Sequence, residues 1–405
     1  MADIQYKCPA CAAPIEFDAG SGKMKCGYCL SVFEVAEVER FNLDQARAEQ
    51  ARSARTPATV GVSTGSPQTP TPPSSPMDAP DDPAASQDPA SDPPAQGHWA
   101  GGQAGYLEPG DLAGMQPMIC NSCGAEIIAD PQTISTRCGF CNNTFIAADR
   151  LARTRVPDFV IPFALDKKAM LAAFKKATEG KFLLPRTFRD EHYLSQATGA
   201  YLPYWFHDGT VHGTITFRAE KRRQWEDSRA IHTEVREYLV QRSGSVDFRA
   251  LPVCGTSKLE AARSEGVEPF RAEECQPFAT PYLSGYAASA YDIEAEATVQ
   301  RADTRAHESL QRLLEDCVRG YDSARVVDSN VQVDRSAIWY VLLPVWLIVI
   351  GYDGKDHPFA INGQTGEVVG TFPISKGKLR ALNWGFFLGI TILVTTLAWL
   401  LIGAL

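Results

Sequence analysis

A surplus of positive charge is what this sequence most plainly lacks. Lys and Arg number 39 against 48 Asp and Glu, for a net charge of −9, so a chain-wide attraction to polyanions is excluded. Long apolar runs are scarce as well, and the two that approach membrane length both lie after residue 336. The opening "MADIQYKCPAC" has no apolar core segment, which excludes a secretory signal there. Large apolar side chains almost vanish between about residues 53 and 117, where "TPTPPSSPMDAPDDPAASQDPASDPPAQ" offers Pro, Ala, Ser, Asp and Gln. Such a segment buries too little surface to offset its ordering entropy, so the composition predicts a disordered, Pro-stiffened tether and the first protease cuts. Catalytic signatures are missing too: there is no nucleophile elbow, HExxH pair or Rossmann glycine fingerprint. A phosphate loop is excluded at its nearest approach, "GSGKMKCGYC" at residues 20–29. Met24 follows Gly22-Lys23 where a hydroxyl must meet Mg²⁺, and Phe17 replaces the leading glycine.

What is present is cysteine at a fixed spacing. Cys8 and Cys11 in "CPAC" precede Cys26 and Cys29 in "CGYC", with fourteen residues between the pairs. Two C-x₂-C turns joined by a short hairpin supply four thiolates for a tetrahedral Zn²⁺. Gly27 is expected to take the positive φ that aims backbone N–H groups at the sulfurs, and Lys23 becomes a hairpin-tip residue. The arrangement returns at Cys120, Cys123, Cys138 and Cys141, each displaced by 112 positions. Ile15 matches Ile127, Gly27 matches Gly139, Phe33 matches Phe145 and Ala36 matches Ala148 at the same offset. The spacing therefore predicts a duplicated zinc ribbon and two Zn²⁺ per chain; a redox C-x-x-C or a disulfide framework calls for no such repetition. Eight metal thiolates favour a reducing compartment, and the other three, Cys254, Cys275 and Cys317, read as ordinary semi-buried residues.

The last 24 residues, "LNWGFFLGITILVTTLAWLLIGAL" from Leu382, carry no ionisable side chain and suffice to cross a bilayer core of about 30 Å as a helix. Lys376, Lys378 and Arg380 just before them predict that the preceding chain is cytoplasmic, with Trp384 near the interface. The reading is a tail-anchored, single-pass protein of the cytoplasmic (inner) membrane. The other run, "AIWYVLLPVWLIVIGYDGK" from Ala337, is apolar for only fourteen residues and rich in β-branched and aromatic side chains. It predicts strand, Asp353-Gly354 turn, strand, Gly363-to-Gly366 turn and strand. Pro344 there implies an edge or a bulge.

Between Pro157 and Gly255 short alternating runs dominate. In "VHGTITFRA", Val211, Ile215 and Phe217 share one face while His212, Thr214 and Arg218 share the other. "YWFHDGTVHG" is expected to place a hairpin turn at Asp208-Gly209. Helical spacing through Met170, Leu171, Phe174 and Ala177, and again along "DIEAEATVQRADTRAHESLQRLLEDCVRG", predicts two helices. The fold class expected is α+β. Its parts are a zinc ribbon at 1–40, a helical stub and disordered linker at 41–117, and a second ribbon at 118–150. A mainly antiparallel β-sheet domain with helices follows at 151–375, then a transmembrane helix at 382–405. A catalytic or metal role is conceivable for His207, Asp208 and His212, but turn and solvent-face polar groups are the commoner identity of such residues.

At these residues the chain resembles bacterial proteins with a transcription factor IIB-type zinc ribbon, often labelled after the primosomal replication-restart helicase. The resemblance is carried by "YLPYWFHDG", "LPVCGTSKL", "PYLSGYAASAYDIEAE" and "YVLLPVWLIVIGYDGKDHPFAINGQTGEVVGTFPISKGK", over about residues 118–380. It implies a zinc ribbon joined to an α+β domain, often with a terminal membrane helix; the additional ribbon and tether at the N-terminus depart from that pattern.

Charge then separates two functions. Residues 1–40 carry four basic and six acidic side chains, and a Cys₄–zinc centre adds −2, leaving −4. The second ribbon, residues 118–150, has two basic and three acidic side chains, or −3 with its metal. Neither attracts a polyanion. The run "RAEKRRQW" from Arg218 is the basic cluster that remains, read as a solvated face or a contact to anionic headgroups. The expectation is a non-enzymatic, membrane-tethered adaptor recruiting cytosolic proteins, with no small-molecule substrate. The alternative is a nucleic-acid-binding ribbon protein linked to replication or transcription at the membrane.

Overall fold

The computed structural model describes residues 5–53, 116–119, 126–129, 132–137, 144–146 and 155–403. The expected tether, apart from its first helical residues and its last two, lies outside them. The first ribbon range holds β1 (Ile15–Asp18), β2 (Lys23–Cys26) and β3 (Val32–Phe33) in one antiparallel sheet, followed by α1 (Val35–Ser53). The second, with the last two residues of the linker before it, holds the hairpin strands β4 (Gln116–Ile119) and β5 (Glu126–Ala129), then β6 (Thr133–Arg137) and β7 (Thr144–Ile146). Beyond it come β8 (Phe159–Val160), α2 (Lys167–Ala177), β9 (Thr198–Glu226), β10 (Ile231–Cys254), β11 (Gln276–Pro277), β12 (Ala287–Ser289), α3 (Ala295–Asp316), β13 (Ser323–Tyr352), β14 (Lys355–Asn362), β15 (Val368–Gly370) and α4 (Lys376–Gly403). This is an α+β fold with a mainly antiparallel sheet of ten strands.

Three very long strands organise it. β9 pairs with β13 from Thr198 to Glu220 and with β10 from Tyr204 to Glu226. The C-terminal half of β13 is buried on both faces. Tyr340, Leu342, Trp346 and Ile348 enter one apolar cluster, while Val341, Leu343 and Val345 enter another. Burial on both sides removes the alternation, which is why this strand reads as a continuous apolar run. The expected strand, Asp353-Gly354 turn, strand, turn, strand order is present as β13, β14 and β15. Pro344 sits where the neighbour of β13 changes from β8 to β14. Its carbonyl accepts from Gly363 N at 2.8 Å on that side, and its missing N–H falls in the gap between the two partners.

The other half of the sheet is covered on one face only. Val211, Ile215, Phe217 and Ala219 of β9 and Val240 of β10 pack on Ala306, Leu310 and Leu314 of α3. The opposite face is polar, and alternation returns. Both predicted helices are present, as α2 and α3.

The expected hairpin turn at Asp208-Gly209 is not there; both residues lie inside β9. At this level β13 is bulged between Arg335 and Ala337, and β10 between Phe248 and Leu251. Asp208 bridges the two irregularities: one carboxylate oxygen accepts from Ala250 N at 2.7 Å and the other from Trp339 Nε1 at 2.9 Å. Gly209 is needed for close approach, since a Cβ would stand 2.5 Å from the Asp334 carbonyl oxygen. The Asp-Gly pair serves a double bulge rather than a turn. The turn between β9 and β10 falls at 227–230, where the Asp227 carboxylate accepts from Arg229 N and Ala230 N.

Candidate metal centre

Cys8, Cys11, Cys26 and Cys29 converge. Their Sγ atoms all lie within 4.8 Å of one another, with Cys8 to Cys29 and Cys11 to Cys26 each at 3.6 Å. Tetrahedral zinc with Zn–S near 2.3 Å requires sulfurs about 3.8 Å apart, so this donor set fits Zn²⁺. The thiols are free rather than paired in disulfides. Among the described residues no other group of three or more His, Cys, Asp or Glu side chains gathers in this way.

The two turns are built alike. In the first, Cys8 N donates to Ala13 O at 2.7 Å and Ala12 N to Cys8 O at 2.8 Å. In the second, Cys26 N donates to Ser31 O at 3.0 Å and Leu30 N to Cys26 O at 3.1 Å. Positive φ falls on the residue after each second cysteine, Ala12 at 58° and Leu30 at 61°. The expectation for Gly27 is therefore overturned: its φ is not positive. The chain must turn left where it leaves the knuckle, not within it. Lys23 opens β2 beside the hairpin turn and pairs with Glu34 at 2.6 Å.

Environment divides the four thiols. Ser31, through its hydroxyl 3.3 Å from Cys29 Sγ and then its backbone N–H, brings Cys29 down to about 6. Cys11 accepts from the Ala13 N–H, yet desolvation and the three neighbouring sulfurs push it up to about 12. Burial raises Cys8. Four crowded sulfurs cannot all carry charge on their own, and a divalent cation relieves that repulsion by displacing the protons. Cys8 and Cys26 are buried; Cys11 and Cys29 reach the surface.

Cys120, Cys123, Cys138 and Cys141 lie outside the described residues. Of the first ribbon's pairings, three recur in the strands around them at an offset of 112, while among the described residues the ladder of β1 with β2 does not, since β5 pairs with β4 and β6 with β7 and β12. Lys7 faces Pro14 as Ile119 faces Glu126, Met24 faces Phe33 as Thr136 faces Phe145, and Lys25 faces Val32 as Arg137 faces Thr144.

Both repeats are fastened to the body by one segment that the spacing argument misses. Phe17 N donates to Ser284 O at 3.1 Å, Tyr6 hydrogen-bonds Thr280 through their hydroxyls, and the rings of Phe17 and Tyr282 meet edge to face at 5.3 Å. A few residues on, β12 pairs with β6, the Ser135 hydroxyl donates to Tyr286 O at 2.9 Å, and Ala290 N donates to Gln132 O at 2.8 Å. Short polar and aromatic docking residues carry no periodicity, so only the quoted "PYLSGYAASAY" hints at them.

His207, Asp208 and His212 do not form a site. Adjacent strand residues face opposite ways: His207 is buried against Thr298 of α3 at 3.0 Å, Asp208 clamps the bulges, and His212 lies on the solvated face 3.5 Å from Asp334. The Thr298 hydroxyl donates to Ala295 O at 2.6 Å, so His207 Nε2 carries the proton given to it. Burial lowers the His207 pKa, and Nδ1 is buried without a partner among the described residues. Cys254 and Cys275 are half-buried and Cys317 is exposed.

At the other end, α4 is long and apolar enough to cross a membrane, over Lys376–Thr396 with none of that stretch buried. No family model matches the chain, and no solved structure matches it. The chain is 34% identical over 258 residues to the uncharacterized protein YdjG of Bacillus subtilis (strain 168), an alignment covering 64% of this chain and 75% of that protein. On that identity and coverage, the chain belongs to the family of the Bacillus subtilis protein YdjG.

Proposed function

We propose that this protein is a membrane-tethered zinc-ribbon adaptor that recruits cytosolic proteins and performs no chemistry of its own. The observation that carries it is the surface of the second knuckle. Beside Cys29, Tyr28, Leu30 and Val32 are 82%, 69% and 47% exposed on an acidic ribbon. An aromatic and aliphatic cluster fixed on a rigid metal turn suits a protein partner, while the ribbon's negative charge repels nucleic acid.

The same reading gives the chain two Zn²⁺, one held by Cys8, Cys11, Cys26 and Cys29 and one by Cys120, Cys123, Cys138 and Cys141. The cysteine spacing and the three strand pairings that recur at the same offset support the second. In this reading the ribbons are of the transcription factor IIB type, α4 is a single span of the cytoplasmic membrane, and Lys376, Lys378 and Arg380 keep the bulk of the chain cytoplasmic.

Affinity purification of the full chain from solubilised membranes, with and without nuclease, tests it. Proteins that survive nuclease and are lost in Leu30→Asp support the adaptor. Partners that all vanish with nuclease would replace it with the nucleic-acid alternative.

A further inference from the structure

We infer that the loop Gly180–Arg186 is an interfacial anchor that lays Phe182 and its basic neighbours on an anionic bilayer surface. The inference rests on α4 being a membrane span.

The loop is a tight, built structure. Gly180 has a φ of 72°, Phe182 N donates to Gly180 O at 3.1 Å and Leu184 N to Lys181 O at 3.0 Å. Leu184 is 2% exposed and holds the loop to the core, whereas Phe182 is turned outward at 67%. A large aromatic placed outward by so constrained a turn has no packing role in the fold.

Two hydrogen bonds then tie this loop to the foot of the span. Ser375 N donates to Leu183 O at 2.8 Å, and Lys378 Nζ donates to Leu184 O at 2.7 Å. Ile374, just before the helix, is 57% exposed. At 1.5 Å per residue, Lys376 stands about 12 Å along α4 from Trp384. With Trp384 at the hydrocarbon boundary, that is the level of the headgroups. The segments 180–186 and 374–380 contain Lys181, Arg186, Lys376, Lys378 and Arg380 and no acidic residue. Asp353 pairs with Lys376 at 2.7 Å, leaving the patch strongly positive. Exposed apolar side chains ringed by cations at headgroup level match an anionic lipid surface.

The same geometry removes the other basic run from consideration. "RAEKRRQW" pairs with the start of β13 at Ser323, while Tyr352 at the end of β13 adjoins Asp353 and Lys376. Thirty residues of strand separate them, up to about 95 Å along the strand.

The test uses the full chain reconstituted in vesicles of phosphatidylcholine with or without phosphatidylglycerol. A benzoylphenylalanine photo-crosslinker is placed singly by Phe182→Bpa, Trp384→Bpa and Leu239→Bpa, and lipid adducts are read by mass spectrometry. Adducts are expected at 182 and 384 and none at 239. The adduct at 182 should fall about fivefold for each of Lys181→Gln and Arg186→Gln in anionic vesicles. Adducts at 384 without any at 182 would overturn the anchor and leave the span standing. None at 384 would overturn the span itself. An adduct at 182 that ignores both phosphatidylglycerol and the two substitutions, or that forms to a second copy of the chain, would also overturn the proposal.

Discussion

Removing the Asp208 carboxylate measures whether the Asp-Gly pair inside β9 is a structural clamp. Asp208 accepts from Ala250 N at 2.7 Å and from Trp339 Nε1 at 2.9 Å, and so joins two bulged neighbours across one strand. Hydrogen bonds to a charged group contribute about 1.5–3 kcal/mol each. The first is part-buried and the second exposed, so the low end applies, and Asp208→Ala should cost at most about 3 kcal/mol. For a body of this size that corresponds to a fall in Tm of about 6–12 °C. Asp208→Asn keeps one acceptor oxygen and should lose about half as much. The assay is thermal unfolding of the full chain in detergent, followed by circular dichroism. A double-mutant cycle with Trp339→Phe, which removes the indole N–H together with part of the ring that meets Phe159, should show a coupling of about 1 kcal/mol. A fall in Tm below about 2 °C for Asp208→Ala, or strict additivity in the cycle, refutes the clamp.

Metal analysis of the purified chain should return two zinc ions, and Cys26→Ser should release one and lose the first ribbon's protection from hydrogen exchange while β9, β10 and β13 stay protected. For His207 the sign follows from burial lowering its pKa: the unfolded chain takes up the proton first, so stability falls as pH drops through about 6.5 and levels off below the folded value. Asp303 and Asp208 oppose this shift and Arg335 adds to it; His207→Gln, less stable throughout, should flatten the dependence of Tm on pH. Ser375→Cys, in a variant without Cys254, Cys275 and Cys317, should react with a membrane-impermeant thiol reagent only after cells are opened, and labelling of intact cells would reverse the orientation.

How much could be read from the sequence depended on how local the determining interaction was. The first four-cysteine cluster follows from two C-x₂-C pairs, because the knuckle is made by residues five apart. The turn at Asp353-Gly354 and the helix α3 are local too. Asp208-Gly209 carries the same dipeptide signal as that turn, yet the residues that use it, Ala250 and Trp339, come 42 and 131 positions later. No window on the sequence contains them. The lengths of β9 and β13 escaped for the same reason: alternating polar and apolar stretches look like several short strands until a partner of equal length shows that one ladder runs through them. Gly27 misled differently, since a glycine beside a metal ligand suggests positive φ while the knuckle's exit falls on Ala12 and Leu30.

In the adaptor reading proposed above, the docking segment at 280–290 decides where capture takes place. Thr280, Tyr282 and Ser284 hold the first repeat, and Tyr286, β12 and Ala290 hold β6 of the second. β12 in turn lies against Ala200 and Tyr201 of β9, and Ala200 faces Val345 of β13. From Val345 to the Tyr352 end is about 23 Å of strand, and to the Ser323 end about 73 Å. The ribbons are therefore fastened to the half of the sheet that adjoins α4. If α4 spans a bilayer as proposed, a partner seated on Tyr28 and Leu30 would be held on the membrane side of the sheet. The ladder of β9, β10 and β13 runs from that station toward its far end at Glu226 and Ile231. A protein built to reach nucleic acid would gain from placing its recognition element at that far end, where the basic run is. Here the first repeat, which carries Cys8, Cys11, Cys26 and Cys29, is fastened toward the opposite end, and the far end has Trp225, Ile231, Val235 and Leu239 exposed among charges of both signs. Geometry and charge thus favour the same reading: capture at the ribbons, near the membrane, by an apolar surface rather than by phosphate attraction.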